Sequence, residues 1–554
     1  MRAILTYLAY ALVAVLRPPC PWPVRYACDA VVLRLVSHPM TPAPSPTTSP
    51  RPLEVALLAS VFVVAACGLV YELAAGALAS YLLGDSVLQF STVIGSYLFA
   101  MGIGSYLSRF FDRQLPAHFL RIELLVALIG GALPAILFIA ASFVPGAFRW
   151  LLYAMVLAVG TLVGLEIPLV MRILRRNVAL KDLVSQVLTF DYLGALAVSL
   201  AFPMVLVPQL GLIRTGLLFG IMNAAVAVWA LWLFRHELRH FRSHAIACGL
   251  TLGALAAGFA GADHITTLAE DHFYQDRAVF TTTTPYQRIV LTAGRSGHKL
   301  FLNGNLQFAE RDEYRYHEAL VHPVMSAHGA PKRVAVLGGG DGMAVREILK
   351  YTSVESVTLV ELDPAMTKVF SSRPALVKLN AGALLSPKVH IVNQDAFKWL
   401  ESTPEVFDVV IVDFPDPTNF SIGKLYTTSF YSLLDQHLTA SGYAVIQTTS
   451  PLVARRSYWT VVTTLEAAGF ATAAYHANVP SFGEWGFVVA SHRPFSPTTQ
   501  ARDLPPGLRY LNPQTLPLLF NFPQDMARVP AGVNRLSNQE LVYSYEREWG
   551  KVAP

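Results

Sequence analysis

Hydrophobic and polar positions divide the chain into two parts of different texture. From residue 53 to 262, apolar runs follow one another, each near the ~20 residues that a helix needs to cross a bilayer. After residue 262 the runs are short, and they are separated by Gly, Asn, Pro and charged residues. The pattern therefore predicts a multi-span α-helical membrane domain, residues 53–262, followed by domains folded outside the bilayer.

About seven spans are predicted within the first part, at 54–82, 89–107, 121–143, 148–171, 190–208, 213–234 and 244–262. The last of these is rich in Ala and Gly, and it either crosses the bilayer or lies at its surface. Basic residues cluster in alternate loops, at Arg109, Arg113 and Arg121, at Arg172, Arg175, Arg176 and Lys181, and at Arg235, Arg239 and Arg242. These loops are expected on the cytoplasmic side, because cytoplasmic loops carry the excess of Lys and Arg.

Three acids interrupt the apolar spans: Glu72 in "GLVYELAAG", Glu166 in "VGLEIPL" and Asp191 in "FDYLGAL". A carboxylate at bilayer depth is costly unless it is paired or hydrated, so each is a functional candidate. The alternative is that they are neutral acids whose hydrogen bonds fix the helix bundle.

Residues 1–52 are predicted to be an N-terminal extension and disordered linker. The stretch "AILTYLAYALVAVL" has the length of a signal-peptide core, but "RPPCPWP" after it is not a small-residue cleavage site. The Pro/Ser/Thr run "TPAPSPTTSPRP" is typical of a linker. An extended start and a genuine anchor both remain open.

The second part divides into three regions. Short alternating runs between Gly and Asn predict a small antiparallel β-hairpin domain over residues 263–331. Over residues 332–494, strands such as "RVAVLGG", "SVTLVELD" and "FDVVIVDF" alternate with helical segments. This alternation predicts an α/β Rossmann-like domain of the methyltransferase type, with ligands at the carboxyl ends of the strands. Residues 495–554 form a C-terminal extension.

Composition narrows the function. Hydrophobic residues make up 53% of the chain and charged residues 14%, and the net charge of +5 comes largely from Arg in the loops between spans. We attribute this charge to membrane topology and expect no nucleic-acid partner. All cysteines precede residue 263, so the C-terminal half has no disulfide, thiol nucleophile or cysteine metal site.

A nucleoside pocket is predicted at the ends of the first three strands of the α/β domain. Gly338 and Gly340 let the backbone approach a ligand, although this pattern alone is a weak signal. Glu361, at the end of the second strand, is placed to accept both ribose hydroxyls, and Asp395 could accept from an adenine amino group. No Walker lysine accompanies the glycines, so the pocket suits S-adenosylmethionine-type ligands.

Asp341 is unexpected inside this glycine loop. It would repel the carboxylate of S-adenosylmethionine, whereas it suits decarboxylated S-adenosylmethionine, whose tail carries only an ammonium and a sulfonium. The alternative is a helix N-cap with no ligand role.

Asp413 and Asp416 follow the fourth strand in "VDFPDPTNF". An alkylammonium, with a pKa of roughly 10, must lose a proton before it attacks carbon. One carboxylate can act as the general base while the other positions the amine. A simple Asp-Pro turn accounts for one of these acids but poorly for both.

Residues 272–494 resemble the spermidine synthase (polyamine aminopropyltransferase) family almost continuously. The resemblance rests on "PYQRIVLT", "LNGNLQFAERDEYRYHEALVHP", "VLGGGDGMAVREILK", "VTLVELD", "QDAFKWL" and "FDVVIVDFPDP", in the order and spacing of that family. Around decarboxylated S-adenosylmethionine it implies Gln287, Asp341, Glu361, Asp395 and Ala396. Around the amine it implies Tyr316, His317 and the 413–416 loop, with Asp413 as catalytic base. The whole chain is similar to bacterial members fused to a multi-span region.

Some positions depart from the family pattern. Phe414-Pro415 replace small hydroxyl residues between the two acids, Phe482 stands where an amine-contacting tyrosine hydroxyl is expected, and Lys424 replaces acidic or small residues. The extension 495–554 has no counterpart in the soluble enzymes. These departures leave the identity of the amine open.

The expected activity is transfer of an aminopropyl group to putrescine or a related amine, giving spermidine and methylthioadenosine. Two alternatives remain: an amine N-methyltransferase, and a polyamine transporter or sensor whose synthase-like domain only binds. No metal is expected, because a neutral thioether leaves. The chain is expected in the inner membrane, in contact with lipid, and a homo-oligomer is compatible with the sequence. Seven spans would place the catalytic domain outside, but supply of the donor favours the cytoplasm.

Overall fold

The computed structural model describes residues 52–83, 86–175, 180–274, 276–495 and 504–551. The predicted extension and linker over 1–51, and the loop residue Arg176, lie outside the described residues. Residues from Ala56 onward belong to one compact unit.

Helices make up the described segments between residues 52 and 274, because long apolar segments satisfy their backbone hydrogen bonds internally as helices. The helices are α1 Pro52–Leu83, α2 Ser86–Leu107, α3 Leu115–Phe143, α4 Pro145–Leu174, α5 Leu180–Ala201, α6 Val207–Leu233, α7 Phe241–Ala260 and α8 Ala262–Tyr274. A shared core of buried apolar side chains joins α1 to α8.

Apolar segments long enough to cross a membrane number six in the described part of the chain, where seven were predicted. The difference lies in Asp182–Leu233, which joins the predicted spans 190–208 and 213–234 in one run of 52 residues. Within that run a π-helical turn occupies Phe202–Leu206, and the backbone leaves helical geometry at Gly211, with φ 73° and ψ 172°. The two predicted spans are therefore contiguous but not one straight helix.

Helix α8 replaces the start of the predicted hairpin region. Its apolar residues recur at helical spacing, and Tyr274 at its end connects the helical region to the first sheet. The hydroxyl groups of Tyr274 and Tyr81 lie 2.9 Å apart, and the Tyr274 ring packs 4.5 Å from that of Phe301.

The predicted hairpins form an antiparallel sheet in the order β1-β2-β3-β4. Its strands are β1 Arg277–Thr283, β2 Arg288–Gly294, β3 Gly297–Leu302 and β4 Asn305–Ala309. Helix α9, Glu313–His328, follows and is buried along most of its length.

The α/β domain contains a second sheet in the order β10-β11-β9-β8-β5-β6-β7. Its strands are β5 Arg333–Gly338, β6 Ser356–Val360, β7 Val389–Val392, β8 Phe407–Asp413, β9 Leu438–Gln447, β10 Ala471–Val479 and β11 Gly483–Ser491. The helices after α9 are α10 Met343–Ile348, α11 Pro364–Ser372, α12 Pro374–Leu379, α13 Ala396–Ser402, α14 Phe420–Gly423, α15 Thr428–Gln436, α16 Arg455–Ala467 and α17 Glu540–Trp549.

Strand β5 is central and parallel to its neighbours β6 and β8. Its side chains are buried on both faces, which explains the continuous apolar run "VAVL". Gly338 at its end is in register with Asp413 at the end of β8. The carboxyl ends of β5, β6 and β8 therefore meet at one edge of the sheet, where the sequence predicts the pocket.

The C-terminal extension packs onto the α/β domain. Glu318 on α9 accepts hydrogen bonds from the backbone N–H groups of residues 509–511, at 2.8 to 3.0 Å. Glu548 on α17 accepts from the N–H groups of Arg456 and Ser457, which begin α16. A free helix N-terminus is thereby satisfied by a side chain from the extension.

We predict that Gly338→Ala destabilises the α/β domain more than Gly329→Ala does. Both glycines have φ of +83°, a backbone conformation that is strained for any residue with a Cβ. A Cβ on Gly338 would also lie 2.2 Å from the carbonyl oxygen of Asp413, whereas one on Gly329 meets nothing within 4 Å. Melting temperatures of the full chain in nanodiscs should fall in that order, and equal decreases would contradict the steric argument.

Candidate functional site

Glu361 is held by the glycine loop at the end of β5. Its Oε2 accepts from the N–H of Gly340 at 3.1 Å, and its Oε1 accepts from the N–H of Asp363 at 2.9 Å. A Cβ on Gly340 would lie 2.6 Å from Glu361 Oε2, so only glycine allows this contact. Burial raises the pKa of Glu361 to about 7, although these two hydrogen bonds act to lower it.

Asp341 takes part in the start of α10 and is also buried beside the pocket acids. Its Oδ1 accepts from the N–H of Met343, the first residue of α10, at 2.9 Å, while the N-cap position itself is occupied by Gly342. Burial raises the pKa of Asp341, an effect that the nearby His317 opposes. Because Asp341 also raises the pKa of Asp413, the two acids share one electrostatic environment.

Asp395 caps α13, which begins at Ala396, by accepting from the N–H of Phe397 at 2.9 Å. Lys424, which departs from the family pattern, contacts this residue: its ammonium forms an ion pair with Asp395 Oδ2 at 2.5 Å. Burial alone would raise the pKa of Asp395, but Lys424 holds it below its usual value. In this structure, then, Asp395 is paired with a cation of the chain itself.

Gln287 lies close to the end of β6. Its side-chain amide donates to Asp363 Oδ2 at 3.1 Å, and the hydroxyl of Thr284 donates to the same oxygen at 2.8 Å. Gln287 thus belongs to the Glu361 side of the site.

Asp413 lies at the other side, at the end of β8. Tyr316 from α9 donates to its Oδ1 at 2.6 Å. Burial raises the pKa of Asp413 to about 6; His317 and the Tyr316 hydrogen bond act against this rise, and Asp341 adds to it. Asp413 is therefore a half-buried carboxylate whose raised pKa suits it to accept a proton near neutral pH.

His317 is positioned by a network that the sequence reading missed. Its Nδ1 is hydrogen-bonded to Glu313 Oε2 at 2.8 Å, and the guanidinium of Arg346 donates to both oxygens of Glu313. Burial disfavours the imidazolium, but Glu313 offsets this and raises the pKa of His317 to about 8. Glu313 could have been noticed from its i, i+4 spacing to His317, whereas Arg346 had no local signal.

Asp416 is held by side chains from two separate parts of the chain. Gln447 at the end of β9, Thr449 just after it and Tyr545 on α17 all hydrogen-bond its carboxylate. Burial raises the pKa of Asp416 to about 7, and these hydrogen bonds lower it. None of the three was predicted; Gln447 could have been, as a polar residue ending a buried strand, but Tyr545 could not.

The aromatic departures pack around the same acids. Phe414 is buried, with its ring edge-to-face on Phe430 at 5.6 Å. Phe482 lies 6.2 Å from the Tyr316 ring and 5.1 Å from that of Trp485, and it offers no hydroxyl. The part of the site around Asp413 is therefore lined by aromatic rings.

The predicted site residues thus fall into two groups at one sheet edge. The first group includes Gly338, Gly340, Asp341, Glu361 and Gln287, and the second includes Tyr316, His317, Asp413, Asp416 and Phe482. Asp395 and Ala396 adjoin the first group at the start of α13. Such an arrangement can hold a cationic nucleoside on one side and an amine on the other.

Comparisons with known proteins show the family to which the chain belongs. Residues 313–500 match the family model described as the spermine/spermidine synthase domain. Polyamine aminopropyltransferase 1 of Ralstonia nicotianae is 53% identical over 525 residues, covering 93% of this chain and 99% of that protein. Polyamine aminopropyltransferase of Leptospira interrogans is 49% identical over 506 residues, covering 90% and 100%.

A solved structure of spermidine synthase from Thermotoga maritima is 26% identical, with a TM-score of 0.41, over 45% of this chain and 85% of that one.

We predict that Tyr545→Phe weakens binding of the amine without weakening binding of the nucleoside. Loss of the hydroxyl removes a hydrogen bond that lowers the pKa of Asp416, so less of this carboxylate is ionised at neutral pH. The KM for the amine should rise about tenfold, as for a lost hydrogen bond to a charged group. Initial rates at varied amine concentration measure the effect.

Tyr543→Phe is the matched control, because Tyr543 is on the same helix and 51% exposed. Unchanged amine KM in Tyr545→Phe, or equal changes in both variants, would remove Tyr545 from the amine site.

Proposed function

Because the chain belongs to the polyamine aminopropyltransferase family, whose members are enzymes, we propose that it transfers the aminopropyl group of decarboxylated S-adenosylmethionine to putrescine or a related amine. The products would be spermidine, or the corresponding polyamine, and methylthioadenosine. The observation that carries the proposal is the half-buried Asp413, which accepts a hydrogen bond from Tyr316 and shares its electrostatic environment with Asp341.

The proposed reaction is a direct displacement. The amine nitrogen attacks the methylene carbon bonded to the sulfonium, the C–S bond breaks, and its electron pair remains on sulfur as a neutral thioether. Asp413 takes the proton that the amine loses, for which a pKa of about 6 is suitable at neutral pH. Asp416 holds the amine in line for the attack, because a second carboxylate attracts an ammonium.

The residues on the other side of the site fit the proposed donor. Both oxygens of Glu361 accept backbone hydrogen bonds and retain lone pairs for ribose hydroxyls. Asp341 uses Oδ1 for Met343, which leaves its second oxygen to face a cationic tail. Asp395 can accept a hydrogen bond from the adenine amino group in two ways. Either its carboxylate binds the amino group and Lys424 at the same time, or the ion pair with Lys424 breaks.

We also propose that the helical region anchors the chain in the cell membrane. Large apolar side chains are exposed on its outer surface, among them Phe99 at 66%, Trp150 at 81% and Leu250 at 69%. An exposed apolar surface of this kind suits lipid. The positive-inside bias with seven spans favours an external catalytic domain, but a donor made in the cytoplasm is the stronger constraint, so we place that domain in the cytoplasm.

Asp413→Asn is expected to reduce turnover by about 10²- to 10⁴-fold, because the amide cannot accept the proton. Methylthioadenosine should still bind with its original affinity, which calorimetry can measure. Asp435→Asn serves as control and should retain full turnover, because the Asp435 side chain is 43% exposed. Near-normal turnover in Asp413→Asn would exclude it as the base.

Asp341→Asn is expected to weaken binding of decarboxylated S-adenosylmethionine more than binding of methylthioadenosine, which lacks the aminopropyl ammonium. Calorimetry with each ligand gives the two losses. Equal losses would mean that Asp341 does not contact the cationic tail.

Protease added to intact spheroplasts is expected to leave the C-terminal half of the chain uncut. The same half should be digested once the membrane is permeabilised, which controls for intrinsic resistance. Digestion in intact spheroplasts would overturn the cytoplasmic placement while leaving the catalytic proposal untouched.

A further inference from the structure

A cavity of about 200 Å³ lies within the helical region, between α1, α2, α4 and α5. Its lining is largely apolar, and it contains three carboxyl groups, from Glu72, Glu166 and Asp191. These are the three acids that interrupt the predicted spans. No Lys, Arg or His lines the cavity in the described part of the chain.

Among the three acids of the cavity, Glu166 is the one with a buried carboxyl oxygen that has no partner in the described part of the chain. Its side chain is 2% exposed, and its Oε1 has no hydrogen-bond partner among the described residues. By contrast, the hydroxyl of Tyr97, which lines the same cavity, donates to the carbonyl oxygen of Gly68 at 2.9 Å. Burial of a carboxyl oxygen without a hydrogen-bond partner is costly. A hydrogen-bond donor bound in the cavity would therefore stabilise Glu166.

The three carboxyl groups also lack cationic partners within the protein. Among the described residues, none of Glu72, Glu166 and Asp191 forms an ion pair, although other acids of the helical region, such as Asp112 and Asp263, pair with arginine. If the three acids served only to join helices, hydrogen bonds between them and neighbouring helices would be expected.

The spacing of the acids narrows the class of ligand. No group of three or more His, Cys, Asp or Glu in the described residues is arranged to hold a metal ion. The three carboxyl groups line the cavity together with apolar side chains such as Val61, Val64 and Val163. A small inorganic cation would contact the carboxyl groups but not the apolar side chains of the lining. A ligand whose positive charges are separated by methylene groups would contact both.

We propose that this cavity binds an aliphatic di- or polyammonium cation, as a second amine site distinct from the pocket of Asp413 and Asp416. Ammonium groups would donate to the carboxylates, including the unpaired oxygen of Glu166, and the methylene segments would contact the apolar walls. This site is independent of the reaction proposed for Asp413.

Equilibrium dialysis of labelled spermidine against the full chain in nanodiscs tests the proposal. The measurement is made in an Asp416→Asn background, in which the catalytic pocket loses an amine-holding carboxylate. About one equivalent of spermidine should remain bound, and adding Glu166→Gln should weaken this binding at least tenfold. Adding Asp182→Asn should leave it unchanged, because Asp182 is exposed on α5 outside the cavity.

Ala195→Phe provides a second variant, since it fills the cavity without altering any carboxyl group. It should weaken spermidine binding similarly while the melting temperature stays within a few degrees. In otherwise wild-type protein, Glu166→Gln should release methylthioadenosine at the normal rate. That assay also separates the two proposals, because absence of release from the wild type would refute only the catalytic one.

Unchanged spermidine binding in folded Glu166→Gln and Ala195→Phe variants would overturn the second amine site. Displacement of spermidine by Mg²⁺ at equal concentration would overturn it as well, since it would indicate a site for simple cations.

Discussion

The register between β5 and β8 is the constraint on which the site depends. Gly338 pairs with Asp413, and a glycine at this point lets the two strand ends approach within a distance that any Cβ would block. The loop after β5 carries Asp341, and the loop after β8 carries Asp416. One strand pairing therefore brings the groups assigned to the donor and those assigned to the amine to the same edge of the sheet.

Much of this architecture could be predicted from the sequence. Strands that are buried on both faces appear in the sequence as continuous apolar runs, and the acids of the site follow these runs directly. The α/β alternation and the sheet edge that carries the site could therefore be predicted. The family assignment is confirmed by relatives whose alignments cover about nine-tenths of the chain. The roles of individual site residues stay predictions, although the structure brings them into two adjoining groups.

What could not be predicted involves contacts between distant segments. Tyr545 reaches Asp416 from a helix far along the chain, and Lys424 pairs with Asp395 across two elements. Neither contact has a local pattern, because each depends on how α17 and the loop before α15 pack. Hairpins were predicted where α8 lies because the segment is short and rich in polar residues, so the helical spacing of its apolar residues was not recognised. The fifth and sixth spans were separated in prediction, but their junction contains no polar loop.

The carboxyl groups at this edge have a consequence for the thermodynamics of substrate binding. The pKa values of Asp413, Asp416 and Glu361 are raised to about 6, 7 and 7, so these carboxyl groups are partly protonated at neutral pH. The proposed cationic substrates would lower these pKa values and release protons to the buffer. Their association would exchange a cation for protons, so the heat of binding would depend on the ionisation enthalpy of the buffer and the affinity would decline as the pH falls.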